Sequence, residues 1–320
     1  MALVEIALNP AQRDVLAVLG APRDAWPSFR TELRLELLAD LEDGLAPVVA
    51  RLAALHPNPS PPLGLTKHTV AAVLGCEARF LHDDRLGFPG WSAPLARGAV
   101  AHKAIELSVH ARGPWDPLRL VDEAVARLAE NENGLGDWLQ RLSEIERAEL
   151  RAIANDHVAK FLECWPPLRA AWRPVTESRW RAELCDDRVV LAGRADLTLQ
   201  QPEGSVARKV VVDLKTGGFA PSHLDDLRFY ALLETLRLGT PPRLVATYYL
   251  ESGRFVHEAV TEEALSAATA RVVEAGARLV ELRLGARDPV YRPGPACRWC
   301  PLLQGCDVGG RALADRDDWP

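Results

Sequence analysis

The sequence predicts an α/β fold: a small mixed sheet flanked by helices, with a helical extension before it and a cysteine-bearing tail after it. Three observations carry that reading. Arg188-Val189-Val190-Leu191 leads to Ala195-Asp196-Leu197-Thr198-Leu199, and Lys209-Val210-Val211-Val212-Asp213-Leu214 follows a turn marked by Pro202 and Gly204, which is a hairpin signature. Segments with apolar residues at helical spacing lie on both sides of that hairpin. Cys297, Cys300 and Cys306 crowd one short stretch near the end of the sequence.

The elements follow in order. Residues 1–56 form the helical extension, with Phe29, Leu33, Leu35, Leu37 and Leu38 among its apolar positions, and residues 57–63, within a Pro-rich run, form a linker. The main domain then occupies residues 64–320. Thr66 caps a helix running through Phe80, and a second spans Arg97 to His110, so that Cys76 and His102 sit on helices. From Pro117 to Leu162 apolar residues recur at helical intervals, giving a helical insert over about 117–164. After the hairpin, Ser222 caps a helix that ends before Gly239 and Pro241. Leu244–Leu250 and Arg254–Val260 form a strand pair about Gly253. Thr261 caps the last long helix, with Glu262 and Glu263 at its positive end, and the tail occupies about 291–307.

At 320 residues and 48% hydrophobic side chains, the chain can bury a large core. It contains no run of about 18 apolar residues, and its start, Met1-Ala2-Leu3-Val4-Glu5, carries an acid where a secretory leader has bases. The expectation is therefore a cytoplasmic protein with no membrane partner. A net charge of −6 argues against a nucleic-acid coat protein, yet an acidic metal site and a basic track can share one surface. No Gly-x-x-x-x-Gly-Lys-Ser/Thr loop is present, which argues against a built-in nucleotide-driven motor.

Asp213 and Lys215 are two residues apart at the end of an apolar strand, so alternation puts both on one face while Leu214 points into the opposite core. Hairpin pairing can bring Asp196 beside Asp213. Two close carboxylates favour a hard divalent cation such as Mg2+ or Mn2+. The plainer alternative is a surface ion pair at a strand end, contributing little.

The surrounding residues add to the triplet. Gly193-Arg194-Ala195-Asp196 followed by Val211-Val212-Asp213-Leu214-Lys215-Thr216-Gly217 resembles the core of the PD-(D/E)XK nuclease superfamily, specifically its RecB-like branch, which includes AddB-type and CRISPR adaptation-type exonucleases. The resemblance spans roughly Thr66 to Asp307. It implies a restriction-endonuclease-like core and metal-dependent phosphodiester hydrolysis. It also implies a metal held at His102, Asp196, Asp213 and Leu214, His102 belonging to Gly98-Ala99-Val100-Ala101-His102. Glu177 takes the place of an acid that precedes the strand pair in such proteins, and Tyr230 that of the tyrosine in a Gln-x-x-x-Tyr helix; with Asp196, Asp213 and Lys215 they make up the catalytic set. Asp226 stands where the family has the glutamine, and an ionised carboxylate there only accepts hydrogen bonds.

Three thiols at Cys297, Cys300 and Cys306 need a fourth, and Cys76 is the upstream candidate. Four thiolates suit zinc or an iron–sulfur cluster equally by spacing. One early cysteine plus Cys-x2-Cys-x5-Cys after the core resembles the [4Fe–4S] staple of the same branch, which ranks the cluster ahead of zinc. Cys164 and Cys185 read as ordinary buried residues.

Arg97, Lys103, Arg194 and Arg228 are the candidate phosphate contacts. Trp91, Trp115, Trp172, Trp180 and Trp299 are aromatic enough to stack on bases, though such residues more often pack in cores. The resemblance thus implies a DNA nuclease acting on ends or single strands in repair, recombination or defence, working with a separate helicase or other partner. The rival is a nuclease-fold module that positions DNA or a partner without cutting.

Overall fold

The computed structural model describes residues 7–55, 61–88, 90–110, 116–130 and 134–317. The linker residues 57–60 and Trp115 lie outside them. The strands are β1 (Leu63–Leu65), β2 (Val175–Leu184), β3 (Val189–Leu199), β4 (Val210–Lys215), β5 (Leu244–Tyr249) and β6 (Arg254–Ala259). The chain divides into two units, and β2 and β3 contribute to both: the first holds residues 1–33, 90–180 and 194–261, the second 34–89, 181–193 and 262–320.

In the first unit the strand order is β3-β4-β5-β6. The predicted hairpin is present, β3 and β4 pairing antiparallel through Leu197↔Val212 and Thr198↔Val211. β4 and β5 pair in parallel and β5 and β6 antiparallel, so the sheet is mixed. All of β4 except Lys215 is buried, which is why Val210-Val211-Val212 reads as a continuous apolar run instead of alternating. A parallel pair needs a crossover, and the Ser222–Leu238 helix supplies it, closed by Gly239 in the left-handed region. The β5–β6 turn places Gly253 at φ 69°, where a Cβ would also come 3.1 Å from the Cys164 sulfur, so glycine is required twice over.

The Ala93–His110, Pro117–Ala129 and Glu144–Cys164 helices share one core with this sheet, in which Val100, Ala101, Ala104, Val121 and Val158 meet Leu197, Val212 and Tyr248. On the first of these helices Ala96, Ala101 and Ala104 are buried alongside the bulkier Val100 and Ile105. Ser143 and Glu146 form a capping box at the start of Glu144–Cys164. The Pro10–Leu19 helix joins the same unit: Asn9 donates to the Glu163 carbonyl at 2.7 Å, and Arg243 donates to the Leu19 carbonyl at 2.8 Å.

In the second unit β1 runs parallel to the first residues of β3, Leu63↔Val189 to Leu65↔Leu191. The last long helix, Glu262–Arg283, starts right after Thr261 as expected. The helix expected from Thr66 through Phe80 is two helices. Thr66 does cap Lys67–Leu74, but Gly75 ends it, and Cys76, in extended conformation, opens Glu77–Leu86. The break is held by Glu77, whose N–H donates to the Val290 carbonyl at 3.1 Å and whose carboxylate takes Arg287 and the Val290 N–H. The tail adds short 3₁₀ turns and an Asp307–Asp317 helix that Gly309 and Gly310 hide from a reading by propensity. Among the described residues no helix is long and apolar enough to cross a membrane.

Candidate active site

β4 ends in Asp213, 1% exposed, and Lys215, whose ammonium lies 2.9 Å from the Asp213 carboxylate. One residue beyond the Leu197↔Val212 pair, Asp196 on β3 faces this end of β4. Its Oδ2 accepts the Leu214 N–H at 2.7 Å, and its Oδ1 lies 3.3 Å from His102 Nδ1. The Ala93–His110 helix brings His102 in close, since a Cβ at Gly98 would stand 3.6 Å from Thr216 Oγ1.

Glu177 completes the cluster. Its backbone sits in the left-handed region at φ 51°, within β2, a conformation costing a non-glycine residue on the order of 1 kcal/mol or more. Ligand atoms of His102, Glu177 and Asp196 lie within 4.8 Å of one another. Asp213 stands outside that group, its carboxylate turned to Lys215. Burial pushes the Glu177 carboxyl up, opposed by Arg194, which pairs with it at 2.8 Å. Burial also opposes protonation of His102, but Asp196, aided by Glu177 and Asp213, outweighs it and raises the imidazole pKa. Two carboxylates and an imidazole around one point, with a third carboxylate adjacent, form a hard, anionic donor set that fits a divalent cation such as Mg2+ or Mn2+.

A model of the PD-(D/E)XK nuclease superfamily matches residues 65–307. The chain belongs to that superfamily. No curated protein matches the sequence. Among solved structures, a Eubacterium rectale protein proposed to be an exonuclease is similar over 76% of this chain and 88% of its own, at 11% identity and a TM-score of 0.43. The structure of SSO0001 is similar over 82% of this chain and 94% of its own, at 15% identity and a TM-score of 0.35. Membership in a nuclease superfamily makes nucleic-acid phosphodiesters the substrate class.

The other site residues of this nuclease-family chain take varied positions. Tyr230 is buried, its hydroxyl donating to the Arg194 carbonyl at 2.6 Å and its ring meeting Trp180 edge-on at 5.9 Å. Burial raises its pKa strongly, with Asp213 and Asp196 adding. The hydroxyl thus ties the Ser222–Leu238 helix to the main chain of β3. Asp226 accepts from Lys215 at 3.2 Å, so the lysine bridges two carboxylates. Sequence reasoning missed this pairing, although the opposite charges at the two motif positions signalled it.

The candidate phosphate contacts are all engaged with acids. Arg228 makes two bonds to Glu258 at 3.0 and 2.6 Å, Lys103 meets both oxygens of Glu106 at 2.9 Å, and Arg194 pairs with Glu177. Arg97 lies 3.4 Å from Glu149, but its Nε is buried and lacks a partner among the described residues. It lines a cavity of about 760 Å3 with His157, Lys160, Thr216 and Gly217, directly after the lysine of the family motif. Trp172 and Trp180 are core residues, Trp91 is half-buried, and Trp299 is 76% exposed.

Cys76, Cys297, Cys300 and Cys306 all lie in the second unit, as does Cys185, and all five are free and half-buried. Cys297 and Cys306 both approach Gly309, their sulfurs 3.6 and 3.4 Å from where its Cβ would stand. The Gly294 N–H donates to the Cys297 sulfur at 3.4 Å, and the Gly309 N–H to the Cys306 sulfur at 3.3 Å.

Proposed function

We propose that this protein is a divalent-metal-dependent deoxyribonuclease that acts on DNA ends or single strands in repair, recombination or defence. The observation carrying the proposal is the convergence of His102, Glu177 and Asp196 beside the Asp213–Lys215 pair. His102, Asp196 and Glu177, with Asp213 and Leu214 alongside, are the residues to hold Mg2+ or Mn2+. A bound divalent cation supplies Lewis-acid polarisation of the phosphodiester and eases deprotonation of water. Lys215 offsets negative charge developing at the phosphate, and Asp213 and Asp226 fix its ammonium for that task. Arg194 steadies Glu177, and Asp196 locks the main chain of Leu214 through its N–H.

Cys76 and the closely spaced Cys297, Cys300 and Cys306 share one unit, which supports a [4Fe–4S] cluster on these four. Main-chain N–H groups already donate to two of these sulfurs, at Cys297 and Cys306, and a cluster is held by cysteine sulfurs. The cluster joins the Glu77–Leu86 helix to the tail. Iron and acid-labile sulfide in an anaerobic preparation are expected; a colourless preparation holding zinc alone assigns the thiols to zinc.

Degradation of labelled single-stranded DNA with manganese tests the nuclease reading against an Asp213→Ala variant. The expected loss is at least about a hundredfold. Equal activity in both preparations overturns it and leaves a DNA-positioning module. A separate helicase partner is part of the same proposal, because the sequence has no phosphate-binding motor loop; co-purification with DNA-unwinding activity tests it.

A further inference from the structure

We infer that the loop Gly217-Gly218-Phe219, directly after the strand that ends in Lys215, presents a stacking platform for an unpaired nucleobase. The inference rests on the nuclease reading for its class of ligand. Phe219 is 56% exposed, although it lies only four residues beyond Lys215. A single exposed aromatic is ordinary on a protein surface, but this ring is held from beneath. Tyr249, 2% exposed, lies 6.1 Å from it at a tilt of 56°. The Tyr249 hydroxyl is 2.9 Å from His223 Nδ1, which also accepts the Ala220 N–H at 3.4 Å, so the backbone next to Phe219 is fixed.

Position and charge point to a nucleobase. Tyr249 is the register partner of Lys215 across the parallel β4–β5 pair, one strand spacing of about 4.8 Å away. The Phe219 ring is thus linked to the lysine through Tyr249, which neighbours both. Arg254 lies 5.4 Å from the ring centroid and supplies a cation for the phosphate belonging to the stacked base. The two preceding glycines have open space where a Cβ would be, and the ring itself is more than half exposed. Bases in a duplex already stack on each other, so such a platform favours single-stranded or frayed DNA.

Fluorescence anisotropy in calcium reads binding of a labelled single-stranded oligonucleotide and of an abasic strand of equal length. The wild-type chain should prefer the strand with bases. Phe219→Ala should weaken binding of that strand by roughly five- to a hundredfold and leave the abasic strand unchanged, while Phe219→Trp restores the preference. Equal losses on both strands, no loss on either, or no binding by the wild-type chain overturns the platform. Base-dependent binding without manganese-dependent cleavage sinks the nuclease reading and keeps the platform; cleavage without base dependence does the reverse.

Discussion

The carboxylate of Asp196 accepts the Leu214 N–H at 2.7 Å while its other oxygen faces His102. One side chain therefore ties β3 to β4 and contributes charge to the cluster, and the two duties can be separated. Asp196→Asn keeps an oxygen acceptor and should melt within a few degrees of wild type, yet lose at least about a hundredfold in cleavage. Asp196→Ala leaves the buried Leu214 N–H unpaired and should cost a further 1–3 kcal/mol, roughly, in urea denaturation.

Tyr230→Phe removes the hydroxyl that serves the Arg194 carbonyl and leaves the ring against Trp180. Stability should fall by about 1–3 kcal/mol, with kcat within about threefold of wild type, as expected of a brace. A hundredfold drop in kcat in a folded variant would instead put the hydroxyl in the chemistry.

His157 gives a pH signature. It is buried, its Nδ1 lacks a partner among the described residues, and burial holds its pKa down, with Arg97 and His102 adding and Glu251 and Asp156 opposing. The unfolded chain takes up this proton near pH 6.5 or so, the folded chain only at lower pH. Stability from this residue is thus complete above about pH 6.5 and is lost as pH falls toward the folded value. Melting curves between pH 7.5 and 5 should fall more steeply for wild type than for His157→Gln; parallel curves would refute the assignment.

In the second unit Glu77 is fully buried and accepts from Arg287 at 2.6 and 2.9 Å and from the Val290 N–H at 2.7 Å. Glu77→Ala should cost about 2–4 kcal/mol by stranding the arginine and the N–H. Arg287 chiefly, with Val290 helping, holds the carboxyl below its ordinary range against the cost of burial. The contribution is present above about pH 4.3 and lost below, so the difference between variant and wild type should shrink as pH falls.

Much of the hairpin was legible in the sequence, because Val210-Val211-Val212 and Leu197-Thr198-Leu199 have strong strand character around a Pro/Gly turn. Alternation also put Asp213 and Lys215 on one face. β1 and β2 were not legible: β1 is three residues long, and β2 carries exposed Arg179, Arg181 and Glu183 among few apolar residues. The break at Gly75 depends on Arg287 and Val290, more than two hundred residues away in the sequence. Glu177 was placed beside the catalytic residues and not among the metal ligands, because the left-handed turn that swings it toward His102 has no glycine to announce it. The ion pairs of Arg228 and Lys103 depend on neighbours across a strand or along a helix, which spacing alone leaves undetermined.

That left-handed glutamate carries a consequence for how the protein can be improved. Glycine would relax the backbone at position 177, and Glu177→Gly should raise the melting temperature by a degree or more. The same change removes a carboxylate from beside His102 and frees Arg194. A screen for heat tolerance alone would therefore drift toward a sturdier, idle protein, whereas a screen for cutting would keep the awkward residue. Robustness and activity are opposed at this one codon.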